Sequence, residues 1–230
     1  MKLLAIDAST EACSVAIQLD NEIFSDFQLC PQSHSVVLLP MVDKLLHQAD
    51  CKLTDFDVLV YGRGPGSFTG VRIGIGVAQG LAFAADLPTV GISTMQAMAQ
   101  QAFEVEHQHD VSVAIDARMS EVYCANYELA ESGIMTLRGE ERVMPPQAFA
   151  EHLGEGTNVY GAGTGWQSYQ EQLAGLASNS EDITILYPHA KYMLGCARRH
   201  VADGDTQPAE LAQPVYVRDT VSWKKLPGRE

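Results

Sequence analysis

The chain is poor in basic residues. It has 15 Lys and Arg against 29 Asp and Glu, a formal net charge of −14. So acidic a chain is not expected to bind nucleic acid by itself, because phosphate contacts need a local surplus of cations. Cysteine is sparse: five stand at 13, 30, 51, 124 and 196, an odd number with no Cys-x-x-Cys. That spacing argues against a disulfide framework and against a zinc knuckle, and reads as reduced thiols in a cytoplasmic protein. There is no Gly-x-Ser-x-Gly, no His-Glu-x-x-His and no phosphate loop ending in Gly-Lys-[Ser/Thr]. The commonest signatures of serine hydrolases, zinc peptidases and P-loop nucleotidases are therefore missing. The opening Met-Lys-Leu-Leu-Ala-Ile-Asp meets an acid at residue 7 and reads as a strand, not a signal peptide. The longest apolar stretch, Val71 to Ala85, carries Arg72 and Gln79 and is too short for a bilayer span.

What is present is ample apolar material, 46% of 230 residues, enough for a large domain or two lobes. Strand-like runs at 3–7, 13–19 and 23–29 precede a helix from His34 to about Ala49, with Ser33 as its expected N-cap. A buried strand at 58–61 leads into Gly62-Arg-Gly-Pro-Gly-Ser-Phe-Thr-Gly70, then a small-residue helix to about Ala85. A strand at 89–92 and a helix at 93–103 follow, and the polar run 104–110 reads as a lobe boundary. Beyond it the pattern restarts. Ala-Ile-Asp-Ala occurs at 5–8 and again at 114–117, each time followed by an acid (Glu11, Glu121) and a second strand-like run. An internal duplication explains this better than chance. Expected later elements are a helix at 146–153, a strand at 158–160, a helix at 166–177 and a helix at 189–201.

Two places could bind an anion. Asp7-Ala-Ser9-Thr10 is a turn at a strand's C-terminal end, although it lacks the Gly that lets a backbone approach phosphate, and the plainer reading is an Asp that hydrogen-bonds its own turn. Ser67 and Thr69 open a helix after a glycine turn, where a cap and an anion site are compatible readings. Catalytic groupings are thin. Cys13 and Cys124 are weak candidates as nucleophiles, Asp116 and Glu121 are acids without a nucleophile, and His107-x-His109 reads as solvated. The helix from His34 carries Val36, Val37, Leu38, Leu39, Met41, Val42, Leu45 and Leu46, an arc of roughly 200°, about twice a one-sided stripe. The next helix has Gly70, Gly74 and Ala78 four apart, a bare ridge suited to close packing. The surplus is either covered by another element of this chain or exposed for a partner, and exposed apolar surface of this kind marks an interface.

Ala5-Ile-Asp-Ala-Ser-Thr10, the stretch from Gly62 to Gly74, Ala114-Ile-Asp-Ala-Arg-Met-Ser-Glu-Val-Tyr123 and the closing Pro214-Val-Tyr-Val-Arg218 together resemble the TsaB (YeaZ) family, essentially end to end. The tail through Trp223-Lys224-Lys225 is similar to gamma-proteobacterial versions, and from pattern alone reads as solvated. The resemblance implies an α/β fold, the duplicated two-lobe actin-like fold of sugar kinases, Hsp70 and actin. The lobes would be 1–105 and 106–230, the helix near 189–201 being a candidate to pack back on the first. It also implies a non-catalytic scaffold that activates the transferase TsaD in making N6-threonylcarbamoyladenosine (t6A) in tRNA. The ATPase TsaE would join a larger complex, TsaC would supply the adenylate, and tRNA would be met only through the complex. By alignment Thr94 and Met98 stand where TsaD carries its metal-holding histidines, so no catalytic residue, metal or cofactor is expected. Asp7, Ser9, Thr10, Ser67 and Thr69 would be a vestigial anion site. The partner face would centre on Leu38, Met41, Val42, Leu45, Gly74, Ala78 and Leu81, and would self-pair into a homodimer without TsaD. The rival readings are a glycoprotease-like peptidase and a nucleotide-binding regulator.

Overall fold

The run Leu3–Asp7 forms strand β1, and all five of its side chains are buried, as befits a strand covered on both faces. Leu4 and Ile6 point to one side of the sheet, Leu3 and Ala5 to the other. The computed structural model describes residues 1–154 and 156–218, so Trp223, Lys224 and Lys225 lie outside the described residues. Strands β2 (Ala12–Leu19) and β3 (Glu22–Leu29) extend β1 as an antiparallel meander, and β4 (Val58–Gly62) and β5 (Thr89–Ile92) join on its other side in parallel. The order is β3-β2-β1-β4-β5. The second sheet repeats the plan. β6 (Asp110–Asp116), β7 (Val122–Leu129) and β8 (Met135–Met144) form the meander, and β9 (Tyr160–Ala162) runs parallel to β6, in the order β8-β7-β6-β9. The two copies of Ala-Ile-Asp-Ala thus occupy the ends of equivalent strands, β1 and β6.

Among the described residues six α-helices cover the sheets: α1 (His34–Gln48), α2 (Phe68–Ala85), α3 (Thr94–Glu106), α4 (Pro146–Leu153), α5 (Thr164–Ser168) and α6 (Met193–Ala202). Helices α1 and α2 lie on the outer face of the first sheet, where Leu38, Met41, Val42, Leu45, Ile75 and Ala78 meet Leu4, Ile6, Val15, Ile17 and Leu59. Phe149 of α4 and Trp166 of α5 cover the outer face of the second sheet. Between the sheets the lobes exchange helices. Met95, Met98, Ala99 and Ala102 of α3 pack on the second sheet, while Met193, Leu194, Cys196 and Ala197 of α6 pack on the first. A cut at 105/106 therefore falls in the last turn of α3, a helix that packs in the other lobe's core.

Two expected elements differ and one strand was not expected. The helix at 166–177 is only the short α5 followed by turns. Gly175 takes a left-handed φ of 74°, and Ala177 bridges Val159 while the Ser178 amide donates to the Val159 carbonyl (2.8 Å). That bridge needs extended chain. Strand β8 was missed because Thr-Leu-Arg-Gly-Glu-Glu-Arg carries no apolar alternation. It is a charged edge strand buried only at Met135, the composition that protects an edge from further pairing. The strand expected at 158–160 is β9, displaced to Tyr160–Ala162 because its pairing with β6 runs over those three residues while Val159 bridges Ala177 instead.

Candidate functional site

The expected anion site is filled by the chain itself. Asp7 ends β1 and is buried. Its carboxylate accepts from the Ser9 amide (3.0 Å) and the Ser9 hydroxyl (2.9 Å), and Thr94 Oγ1 of α3 donates to Ser9 Oγ (2.9 Å). The glycine loop closes over this turn. A Cβ at Gly62 would collide with Asp7 Oδ2, one at Gly66 with the Ser9 carbonyl, and one at Gly70 with the Ala8 carbonyl. The Ser67 amide donates to that Ser9 carbonyl (2.7 Å), and Ser67 Oγ caps α2 by accepting from Gly70 N (3.3 Å). So the glycines do serve close backbone approach, but to the chain's own turn. Burial pushes the Asp7 carboxyl up to about 6 despite the Ser9 hydrogen bonds and His34, which is the wrong setting for a second anion. Asp7, Ser9 and Thr10 are buried, whereas Ser67 and Thr69 are exposed around the corner of the loop. The five do not form one pocket.

Thr94 and Met98, at the positions expected to have lost histidines, are both buried, Thr94 against Ser9 and Met98 in the second sheet's core. Neither proposed thiol nucleophile is activated. Burial raises both, Cys124 to about 12. On the second lobe Asp116 stays exposed, accepting from the Arg118 amide (2.9 Å) and the Tyr169 hydroxyl (3.2 Å). Arg118, Met119 and Ser120 all sit at φ near +60°.

The closing segment ties these parts together, which sequence reasoning missed. The Val215 amide donates to the Arg63 carbonyl (2.9 Å), Tyr216 packs near Phe68 and Arg72, and Arg218 pairs with Glu121 (2.6 Å) and donates to the Ala117 carbonyl (3.3 Å). Residues 214–218 thus bridge the glycine loop of one lobe and the Asp116–Glu121 turn of the other. The four motif segments singled out in the sequence meet at the seam between the lobes. Arg63 also reaches across that seam to Glu141 (3.5 Å), which accepts from the Tyr127 hydroxyl (3.0 Å).

The outer helices correct the expected partner face. Leu38, Met41, Val42 and Leu45 are core residues of α1, and Gly74 and Ala78 lie buried on the inner ridge of α2. The reason is the wide apolar arc of α1: one flank must cover β1, β2 and β4. Leu81 is half-buried. The uncovered flank consists of Val36 (69% exposed) and Leu39 (48%) on α1, and of Phe68 (63%) and Phe83 (81%) on α2, with Ile73 and Val77 half-buried. Gly76 and Gly80 lie on the same side, with nothing within 4 Å of a Cβ at either. Helix α2 therefore has two small-residue ridges, an inner one at 70, 74, 78 and 82 and an outer one at 76, 80 and 84. It is long and apolar enough to cross a membrane, by length and composition only, and a third of it is buried here. One cation marks the outer face: Arg72 lies 3.3 Å over the Phe68 ring.

Residues 27–195 match the family described as TsaD, tRNA N6-adenosine threonylcarbamoyltransferase. The chain is 47% identical over 234 residues to the tRNA threonylcarbamoyladenosine biosynthesis protein TsaB of Escherichia coli, covering 100% of both. The chain belongs to the TsaB family. The Haemophilus influenzae TsaB is 41% identical over 239 residues, covering 100% of this chain and 99% of its own. Among solved structures, YeaZ from Pseudomonas aeruginosa superposes with a TM-score of 0.85 at 43% identity, over 94% of this chain and 99% of that one. Another Pseudomonas structure of the same similarity is described as an uncharacterized protein resembling peptidase YEAZ. The fold is the two-lobed actin-like one expected of the family.

Proposed function

We propose that this TsaB chain is a non-catalytic subunit of the t6A machinery, a scaffold that binds and activates TsaD in the cytoplasm, with TsaE in a larger complex. The observation that carries the reading is the uncovered apolar flank of α1 and α2, anchored by Leu39, Phe68 and Phe83, on an otherwise acidic chain. Surface of this kind is stabilised when a partner removes it from water. The self-filled Asp7 turn supports the same reading, since the place where an actin-like relative would admit a phosphate is occupied by Ser9, Gly66 and Gly70. It also weakens the nucleotide-binding alternative, while the buried, protonated thiols weaken the peptidase one. Homodimer formation through the same flank would cover it in the absence of TsaD. The test is co-purification with tagged TsaD. Phe83→Glu should abolish capture while leaving the fold intact, because its ring touches little of its own chain. Capture unchanged by Phe83→Glu and Leu39→Glu together overturns the assignment of this face.

A further inference from the structure

Cys13 sits on β2, Cys30 directly after β3, and His34 is the first residue of α1. All three are buried, and their ligating atoms lie within 4.8 Å of one another; among the described residues no other group of His, Cys, Asp and Glu does so. The backbone sets their positions: the Cys30 amide donates to the Glu11 carbonyl (2.9 Å), and the Ser33 amide to the Cys30 carbonyl (2.9 Å). His34 Nε2 lies 2.6 Å from the Thr10 carbonyl oxygen. A carbonyl only accepts, so Nε2 carries a proton, and in the neutral imidazole Nδ1 is the nitrogen with a lone pair to offer a metal. Metal-ligating histidines are typically held this way, one ring N–H donated to a backbone carbonyl.

We propose that Cys13, Cys30 and His34 form a binding site for a borderline divalent cation, Zn²⁺ above others. Two thiols and an imidazole are a donor set that zinc takes and magnesium or calcium does not. In a tetrahedral zinc site with metal–sulfur bonds of about 2.3 Å, neighbouring donors lie roughly 3.5–4 Å apart, inside the 4.8 Å within which these three already stand; a water carried in with the ion would be the fourth donor. The charge balances: two S–H bonds break, two metal–sulfur bonds form, two protons leave, and the buried site stays neutral. The ion would staple β2, the end of β3 and the start of α1, beneath the helix whose outer flank is uncovered. The sequence hides this site because the spacing Cys-x16-Cys-x3-His pairs residues through a hairpin, not through a local knuckle.

The test uses the full chain, stripped by a chelator and titrated with Zn²⁺ against a chromophoric chelator, and separately with Co²⁺. We expect one equivalent of either ion, thiolate-to-Co²⁺ charge-transfer bands with the intense ligand-field bands of a tetrahedral site, and their loss on adding Zn²⁺. Cys13→Ser and Cys30→Ser should each abolish the bands, and Cys51→Ser should keep them. The absence of a stoichiometric ion in the unaltered chain overturns the site, as do bands that survive Cys13→Ser, or a Cys13–Cys30 disulfide in protein purified without oxygen. Should a serine variant not fold, the titration of the unaltered chain alone decides.

Discussion

Two glycines inside α2 allow a test in which stability and binding should move in opposite directions. Gly76 and Gly80 lie mid-helix, are exposed, and have no atom within 4 Å of where a Cβ would stand. Nothing in the isolated chain requires glycine there. Alanine should therefore recover helix propensity at no steric cost, about 1 kcal/mol per site. The double variant Gly76→Ala/Gly80→Ala should then gain about 2 kcal/mol, or roughly 4–8 °C in Tm for a chain of this length. If the outer ridge instead exists for close approach of a partner helix, the same two methyl groups intrude into that contact. Overpacking of about 1–3 kcal/mol would weaken TsaD binding roughly 5- to 150-fold. Thermal unfolding of the isolated chain and isothermal titration with TsaD read the two effects separately. Gly70→Ala is the control. It adds the same methyl group to the inner ridge, where it collides with the Ala8 carbonyl, and should lower Tm. A double variant that melts at or below the unaltered Tm would refute the claim that the outer glycines serve nothing within the chain. A stabilised variant that binds TsaD unchanged would remove the ridge from the contact.

Neighbours on α1 should part in the same way: Leu38→Ala, at a fully buried site, should cost about 2–5 kcal/mol, whereas Leu39→Ala should stay within about 0.5 kcal/mol, both measured by urea denaturation. Asp7 should give stability a pH slope. Burial raises its carboxyl from 3.8 to about 6, so between those values the folded chain holds a proton that the unfolded chain has released, and stability falls as pH rises through that window. Full loss amounts to about 3 kcal/mol; Asp7→Asn should flatten the decline in denaturation midpoints collected from pH 4 to 7, and an unchanged slope would show that Asp7 is not the group responsible. Filter binding of tRNA to the isolated chain at physiological salt should show no retention, as the −14 charge requires.

Most of the fold was legible because buried strands and helices write their periods into the sequence. β1 and β4 are short apolar runs, β2 is apolar but for Ser14 and Gln18, and α1 to α3 are long and punctuated by Ser33, Ser67 and Ser93, of which the last two cap through their side chains. The Ala-Ile-Asp-Ala repeat identified the two halves. What the sequence could not convey was direction. An apolar arc twice the usual width says that two flanks need cover, but not which flank faces the sheet, so Leu38, Met41, Val42 and Leu45 were assigned outward when they face inward. The glycine ridge failed for the same reason: residues 70, 74 and 78 and residues 76, 80 and 84 are equally bare in sequence, and only the position of the Ala8 turn separates them. The reach of Arg218 to Glu121 and the meeting of Cys13, Cys30 and His34 are products of topology, and no local pattern carries them.

The two acids of the repeated tetrapeptide have opposite fates, and the glycine loops explain why. In the first lobe the loop after β4 lands beyond the acid, with Gly66 on the Ser9 carbonyl and Gly70 on the Ala8 carbonyl, so Asp7 is roofed over. In the second lobe the loop after β9 lands before the acid, with Gly163 and Gly165 on the Ala114 carbonyl, and Asp116 is left open. The second loop stops short because Trp166 must turn inward there, donating its indole N–H to the Ser112 carbonyl (3.0 Å) and filling the core beside Phe149. A loop tethered by that side chain cannot slide forward over Asp116. The duplicated halves have therefore diverged in where a loop's glycines meet a strand, by about three residues, and that offset leaves the Asp7 turn covered by backbone, whereas Asp116 meets the Thr164 and Tyr169 hydroxyls and stays exposed.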